Sequence, residues 1–180
     1  MIMFLEKLLE IPKKKALQLI TLIGLIAFVI MTSLGGVINA APVYTILDYE
    51  FAWTSSQVEV IFNAWGAVGK QQIAFGIYMD FLYIVAYGIL IFGCLLIATR
   101  KLEGLIQTIG LYMAITPIIA GICDVAENVN LLLMIADGSF IVSASPFVAA
   151  LCATIKFTII FACILFFLIQ VILIVIKKKK

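Results

Sequence analysis

Residues 147–176 read FVAALCATIKFTIIFACILFFLIQVILIVI, about 30 residues whose only charge is Lys156. A bilayer core of ~30 Å is crossed by about 20 apolar residues in a helix, so this run is long enough to span it. Lipid offers no partner to a free backbone N–H or C=O, which restricts spanning structures to helices and closed barrels. Barrel strands are ~10 residues of alternating polarity, and nothing in this run alternates. The stretch reads as a transmembrane helix, and it carries one ammonium that needs partners.

Three further runs qualify. Residues 16–38 carry no charge, residues 72–99 carry only Asp80, and residues 105–136 are interrupted by Asp124 and Glu127. The expected fold is all-α: a membrane-embedded four-helix bundle forming a single domain over residues 1–180. Composition agrees. Hydrophobic residues make up 65% of the chain and charged residues 12%, against a usual ~45–50% and ~25%. The mean hydropathy is +1.25. A disordered chain, a nucleic-acid binder and an ordinary cytosolic enzyme are excluded. Histidine is absent, which removes His-ligated haem, His-bound zinc and His-based triads. No metal or cofactor is expected. Cys94, Cys123, Cys152 and Cys163 all fall within spans and form no CxxC pair, so they read as packing residues.

Charge sets the orientation. Lys7, Lys13, Lys14, Lys15, Arg100, Lys101 and Lys177 to Lys180 all fall on one side of the expected spans. By the positive-inside rule both termini are cytoplasmic. The first apolar run, at ~23 residues, exceeds the 7–15 of a signal-peptide core, and Asn39-Ala40-Ala41 is a poor cleavage site, so an uncleaved anchor is expected. Met1 to Ile11 alternates apolar residues with Glu6, Lys7 and Glu10, which suits the inner membrane surface, and Pro12 ends that piece. The closing lysines read as anchors near anionic lipid in a bacterial cytoplasmic (inner) membrane. In a eukaryotic host they read instead as a dilysine signal for the endoplasmic reticulum.

The outer connection between the first two spans is long for a structureless loop. Ser56 and Glu59 fit a capping box, and Val58, Ile61, Phe62 and Trp65 follow at i, i+3, i+4 and i+7. A short amphipathic helix over 56–65 is expected, ended by Gly66 and Gly69. It serves either as an interfacial helix or as a lid over the bundle's outer mouth. Asp48 and Glu50, just before it, make the outer rim acidic.

The charges inside the spans carry the most information. Each costs ~2.5–3.5 kcal/mol at a helix centre on insertion scales, so Asp80, Asp124, Glu127 and Lys156 are expected to face one another. Counted from the outer ends of their spans, all four lie at a common depth of roughly 12–18 Å, at 1.5 Å per residue. Asp80, Tyr83 and Tyr87 share one helical face; Asp124, Glu127 and Asn128 share another. Pro117 is expected to bend the third span and free a carbonyl near this layer. The layer is expected to hold an Asp/Glu–Lys156 pair and at least one carboxyl in its protonated form.

The series Tyr49-Glu50-Phe51-Ala52, Ala64-Trp65-Gly66, Met79-Asp80-Phe81, Tyr87-Gly88, Asp124-x-x-Glu127-Asn128 and Thr154-Ile155-Lys156-Phe157 resembles a set of small bacterial four-span membrane proteins. The resemblance covers residues 20–175. It implies the same four-helix plan, an inner-membrane location, and Asp80, Asp124, Glu127, Asn128 and Lys156 as shared polar positions. It implies no reaction. A fainter likeness is to VanZ-type membrane proteins, a group proposed to act on lipid headgroups. This chain lacks the histidine of that pattern, so no catalysis carries over.

Three functions stay open at the level of sequence. In the first, the layer binds or acts on a lipid headgroup or small amphiphile. Asp124 or Glu127 is then the acid/base and Asp80 belongs to the same group. Lys156 holds an anionic group, and Tyr83, Tyr87, Asn128 and Trp65 line the ligand site. The partners are then membrane lipids. In the second, Asp80, Glu127 and Lys156 couple protons to transport, which requires a homo-oligomer because four spans are few. In the third, the layer only holds an assembly protein together.

Overall fold

The computed structural model describes residues 2–38 and 43–179, and the side chains of 5–34 and 43–178. Asn39-Ala40-Ala41 lies outside them. All regular structure among the described residues is helical: α1 (Ile2–Lys7), α2 (Lys14–Ile38), α3 (Ile46–Glu50), α4 (Ser55–Thr99), α5 (Leu105–Ala136), a 3₁₀ turn (Gly138–Val142) and α6 (Ser145–Lys179). Helices α2, α4, α5 and α6 are each long and apolar enough to cross a membrane. The chain is an integral membrane four-helix bundle, and α1 and the end of α6 lie at its basic end.

Helix α4 joins two elements that the sequence separates. Its first part is the amphipathic segment, and its second is the span. They meet at Gly66, whose φ of 61° and ψ of −167° break the helix. That left-handed φ is open to glycine at no steric cost. Gly69 does not end the segment but lies inside the helix, with a Cβ position 2.8 Å from that of Trp65. The N-cap also differs from expectation. Thr54 rather than Ser56 caps the helix, with Gln57 returning the bond: Gln57 N donates to Thr54 Oγ1 at 3.4 Å and Thr54 N donates to Gln57 Oε1 at 3.0 Å. Both pairs satisfy the same S/T-x-x-E/Q spacing. Thr54 wins because its backbone is extended (φ −130°, ψ 154°) while Ser56 is already in the first turn.

Two apolar clusters close the ends of the bundle. At the far end Val58, Ile61, Phe62 and Trp65, the amphipathic face, are buried against Tyr49, Ile73, Ile77, Leu131 and Met134. At the basic end Leu5 of α1 and Leu17 of α2 pack with Leu95, Leu96, Leu111, Ala114 and Cys163. The segment from Leu5 to Pro12 is therefore docked on the bundle. Arg100 holds it there, donating from Nε and Nη2 to Leu8 O (2.9 and 2.6 Å) and from Nη1 to Pro12 O (2.8 Å).

Helices α4, α5 and α6 pack on one another, whereas α2 packs along α4 with no close backbone approach to α6 among the described residues. Small residues let α2 and α4 come close. A Cβ on Gly24 falls 2.9 Å from Leu90 N, and one on Gly93 meets Thr21 Oγ1. Helices α2 and α6 both line the space between them.

Pro117 does not end α5, which continues for 19 residues beyond it. Having no N–H, it leaves the Met113 carbonyl free, and Thr116 Oγ1 donates to that oxygen at 2.8 Å. Cys163 Sγ lies 3.1 Å from the same hydroxyl.

Candidate functional site

The four intramembrane charges meet. Helix α5 places Asp124, Glu127 and Asn128 on one buried face, at 2%, 0% and 2% exposure. Helix α6 brings Lys156 to them from about 16 Å below its first residue, at 1.5 Å per residue. Lys156 Nζ donates to Asp124 Oδ1 at 3.0 Å and to Glu127 Oε1 at 3.0 Å, and lies 2.9 Å from Glu127 Oε2. Helix α4 contributes Asp80, whose Oδ2 accepts from Asn128 Nδ2 at 2.7 Å, and Tyr87, whose hydroxyl donates to Asp124 Oδ2 at 2.9 Å. The layer expected from depth counting is present, and a single ammonium draws it together.

A fourth carboxyl, Glu50, joins them from outside the spans. Its Oε2 lies 3.6 Å from Lys156 Nζ, and the residue is 9% exposed. Local chemistry explains its place. Thr45 caps α3 in a reciprocal box with Asp48, whose Oδ2 accepts from Thr45 N at 2.6 Å. That backbone N–H holds the exposed Asp48 carboxyl below its ordinary value. The next residue, Tyr49, donates from its hydroxyl to Leu131 O at 2.8 Å and so bolts α3 to α5. Glu50 is then aimed inward. The rim acid expected at the surface is thus a member of the buried group. Thr45-x-x-Asp48, a capping box, marks the start of the short helix that carries Glu50 but not the side on which that acid lies.

Beside this group lies a cavity of about 570 Å³. Its polar end is formed by Glu50, Asp80, Tyr83, Tyr87, Asp124 and Lys156. The rest is apolar: Leu25 and Phe28 from α2, Leu90 and Leu95 from α4, Ile160 and Phe167 from α6. Along α6 the lining runs from Lys156 to Phe167, roughly 16 Å at 1.5 Å per residue. Leu25, Leu47, Phe157 and Ile164, from α2, α3 and α6, border the side opening and are 44%, 50%, 37% and 49% exposed. Aromatic rings frame the polar end. Tyr83 stacks on Phe28 with centroids 5.3 Å apart and meets Tyr87 edge-on at 5.7 Å, while Lys156 Nζ sits 4.7 Å from the centre of the Phe157 ring.

Three sequence expectations change here. Trp65 does not line the cavity: it is buried in the far apolar cluster, edge-on to Tyr49 at 5.3 Å, and its Nε1 donates to Tyr44 O at 2.9 Å. A helix ending at Gly66 turns that face onto the bundle rather than toward the polar layer. Lys156 is not held free for an anion: it donates to Asp124 and Glu127, with Glu50 beside them, which leaves one of its three N–H groups. Asn128 orients Asp80 instead of reaching the cavity. Among the described residues no group of three or more Cys, Asp or Glu side chains is placed to hold a metal ion. The chain matches no protein-family model, no curated protein and no solved structure.

Proposed function

We propose that this protein binds a membrane amphiphile, its chain in the apolar part of the cavity and its headgroup against the buried carboxyls. One observation carries the reading: the cavity is polar at one end, apolar along the rest, and open sideways between α2 and α6. Pockets of this size bury most of a small ligand through apolar contact and orient it by a few polar groups. The apolar clusters at both ends of the bundle favour entry from the bilayer over passage of a water-soluble solute. With the basic end in the cytoplasm, the polar end lies at the depth of the outer leaflet's chains. Asp124, Glu127 and Lys156 form the rigid floor of the headgroup site, while Asp80, Tyr83 and Glu50 face the ligand.

Native mass spectrometry of the protein released from mild detergent tests this. The wild type is expected to retain one chain-bearing molecule at activation energies that strip detergent. Ile160→Trp, which fills the apolar part of the cavity, is expected to retain none. Equal retention by both proteins, or by neither, refutes the reading.

A further inference from the structure

Beyond the Tyr83 hydroxyl and the third N–H of Lys156, the polar end of the cavity holds more acceptors than donors. Asp124 spends both oxygens internally, Oδ1 on Lys156 and Oδ2 on Tyr87. Glu127 accepts from Lys156 at Oε1, while its Oε2, 2.9 Å from Lys156 Nζ, makes no hydrogen bond. Asp80 receives one bond, from Asn128 to Oδ2. Glu50 Oε2 has no hydrogen-bond partner, although it is buried and its residue lines the cavity. Its nearest cation, Lys156 Nζ, stands 3.6 Å away with donors turned to Asp124 and Glu127. A buried acceptor without a donor is costly, so this position calls for one.

Charge points the same way. Glu50, Asp80, Asp124 and Glu127 surround one ammonium. Even with one carboxyl protonated, an anionic head entering the cavity meets more carboxylates than cations. A hydroxyl offers a single donor and no compensating charge. A primary ammonium offers three donors and the opposite charge, and the rings of Phe28, Tyr83 and Tyr87 present faces and edges to it.

We propose that the polar end of the cavity is an ammonium site, and that the amphiphile it takes carries a primary amine head seated between Glu50 and Asp80. The inference rests on the amphiphile reading above and narrows its headgroup. The amine belongs either to a membrane lipid or to a free long-chain amine, and the two share this chemistry.

The test uses the full chain in non-ionic detergent at neutral pH and four probes with the same twelve-carbon tail: dodecylamine, dodecyltrimethylammonium, dodecanol and dodecanoate. Affinities come from native mass spectrometry titrations. Dodecylamine is expected to bind roughly 10- to 100-fold more tightly than dodecanol or dodecanoate, as a charge-assisted hydrogen bond implies. The trimethyl analogue, with charge but no N–H, falls between. Glu50→Gln and Asp80→Asn are each expected to weaken dodecylamine about tenfold and to narrow its margin over dodecanol. The wild-type series decides the matter even where a variant fails to fold. Four equal affinities, or a preference for dodecanoate, overturn the ammonium site while sparing the amphiphile reading; no binding by any probe overturns both. A second arm places the protein in nanodiscs with and without phosphatidylethanolamine. Displacement of dodecylamine by that lipid supports the site with a lipid amine as its source, and undisturbed binding supports it with a free amine.

Discussion

Lys156→Met tests whether one ammonium holds the buried acids together. The substitution keeps an unbranched apolar stem of similar length and removes the charge. Two short contacts disappear, Nζ to Asp124 Oδ1 at 3.0 Å and to Glu127 Oε1 at 3.0 Å, together with the longer approach to Glu50 at 3.6 Å. Charge-assisted hydrogen bonds contribute about 1.5–3 kcal/mol each, so two bring roughly 3–6 kcal/mol. Removing one partner of a buried ion pair costs about 3–5 kcal/mol by a separate route of estimation. The two ranges overlap, and a loss of about 3–5 kcal/mol is expected, a drop of two to three and a half decades in the folded-to-unfolded ratio at ~1.4 kcal/mol per decade. The companion variant Asp124→Asn/Glu127→Gln/Lys156→Met removes the two acids bonded to the cation along with it and leaves Glu50 and Asp80. It is expected to recover part of the loss, because most of the cost of the single variant comes from the charges it strands. Sodium dodecyl sulfate titration of bicelle-reconstituted protein, followed by circular dichroism, measures both. A loss below about 1 kcal/mol in the single variant, or no recovery in the triple, refutes the argument that these side chains are bound as a group.

Two further outcomes are expected. Gly66→Ala places a Cβ at φ 61°, ψ −167° in a position with no atom within 4 Å, so its cost is backbone strain alone, about 1–3 kcal/mol by thermal unfolding; an unchanged midpoint argues against the break between the amphipathic segment and the span. Arg100→Gln removes the guanidinium bonds to Leu8 O and Pro12 O, and tryptic cleavage at the exposed Lys13, Lys14 and Lys15 is expected to speed up several-fold; an unchanged rate shows that residues 5–12 are held by other contacts.

Much of the site was legible because the membrane makes charge conspicuous. Asp80, Asp124, Glu127 and Lys156 stand out in runs where every other residue is uncharged, and helical rise converts their positions to a common depth. Glu50 had no such contrast. It lies in a polar connection, and a five-residue helix leaves too short a pattern to reveal which way it points. The capping box was found by type but misplaced by two residues, since Thr54/Gln57 and Ser56/Glu59 obey one spacing. Trp65 was placed on the correct apolar face, but periodicity names a face without naming what it packs on.

By itself the sequence determined the class of fold, the four spans, and the demand that one ammonium meet several acids, because lipid penalises every unpaired backbone group and every lone charge in the same way wherever it occurs. The tertiary structure alone decided that Lys156 is already engaged, that Glu50 reaches it from outside the spans, and that α2 stands off from α6 to leave a cavity. Those outcomes depend on how separate helices pack against one another, through Gly24 and Gly93 and through the Tyr49 hydroxyl on Leu131 O, and no pattern within a single helix encodes them.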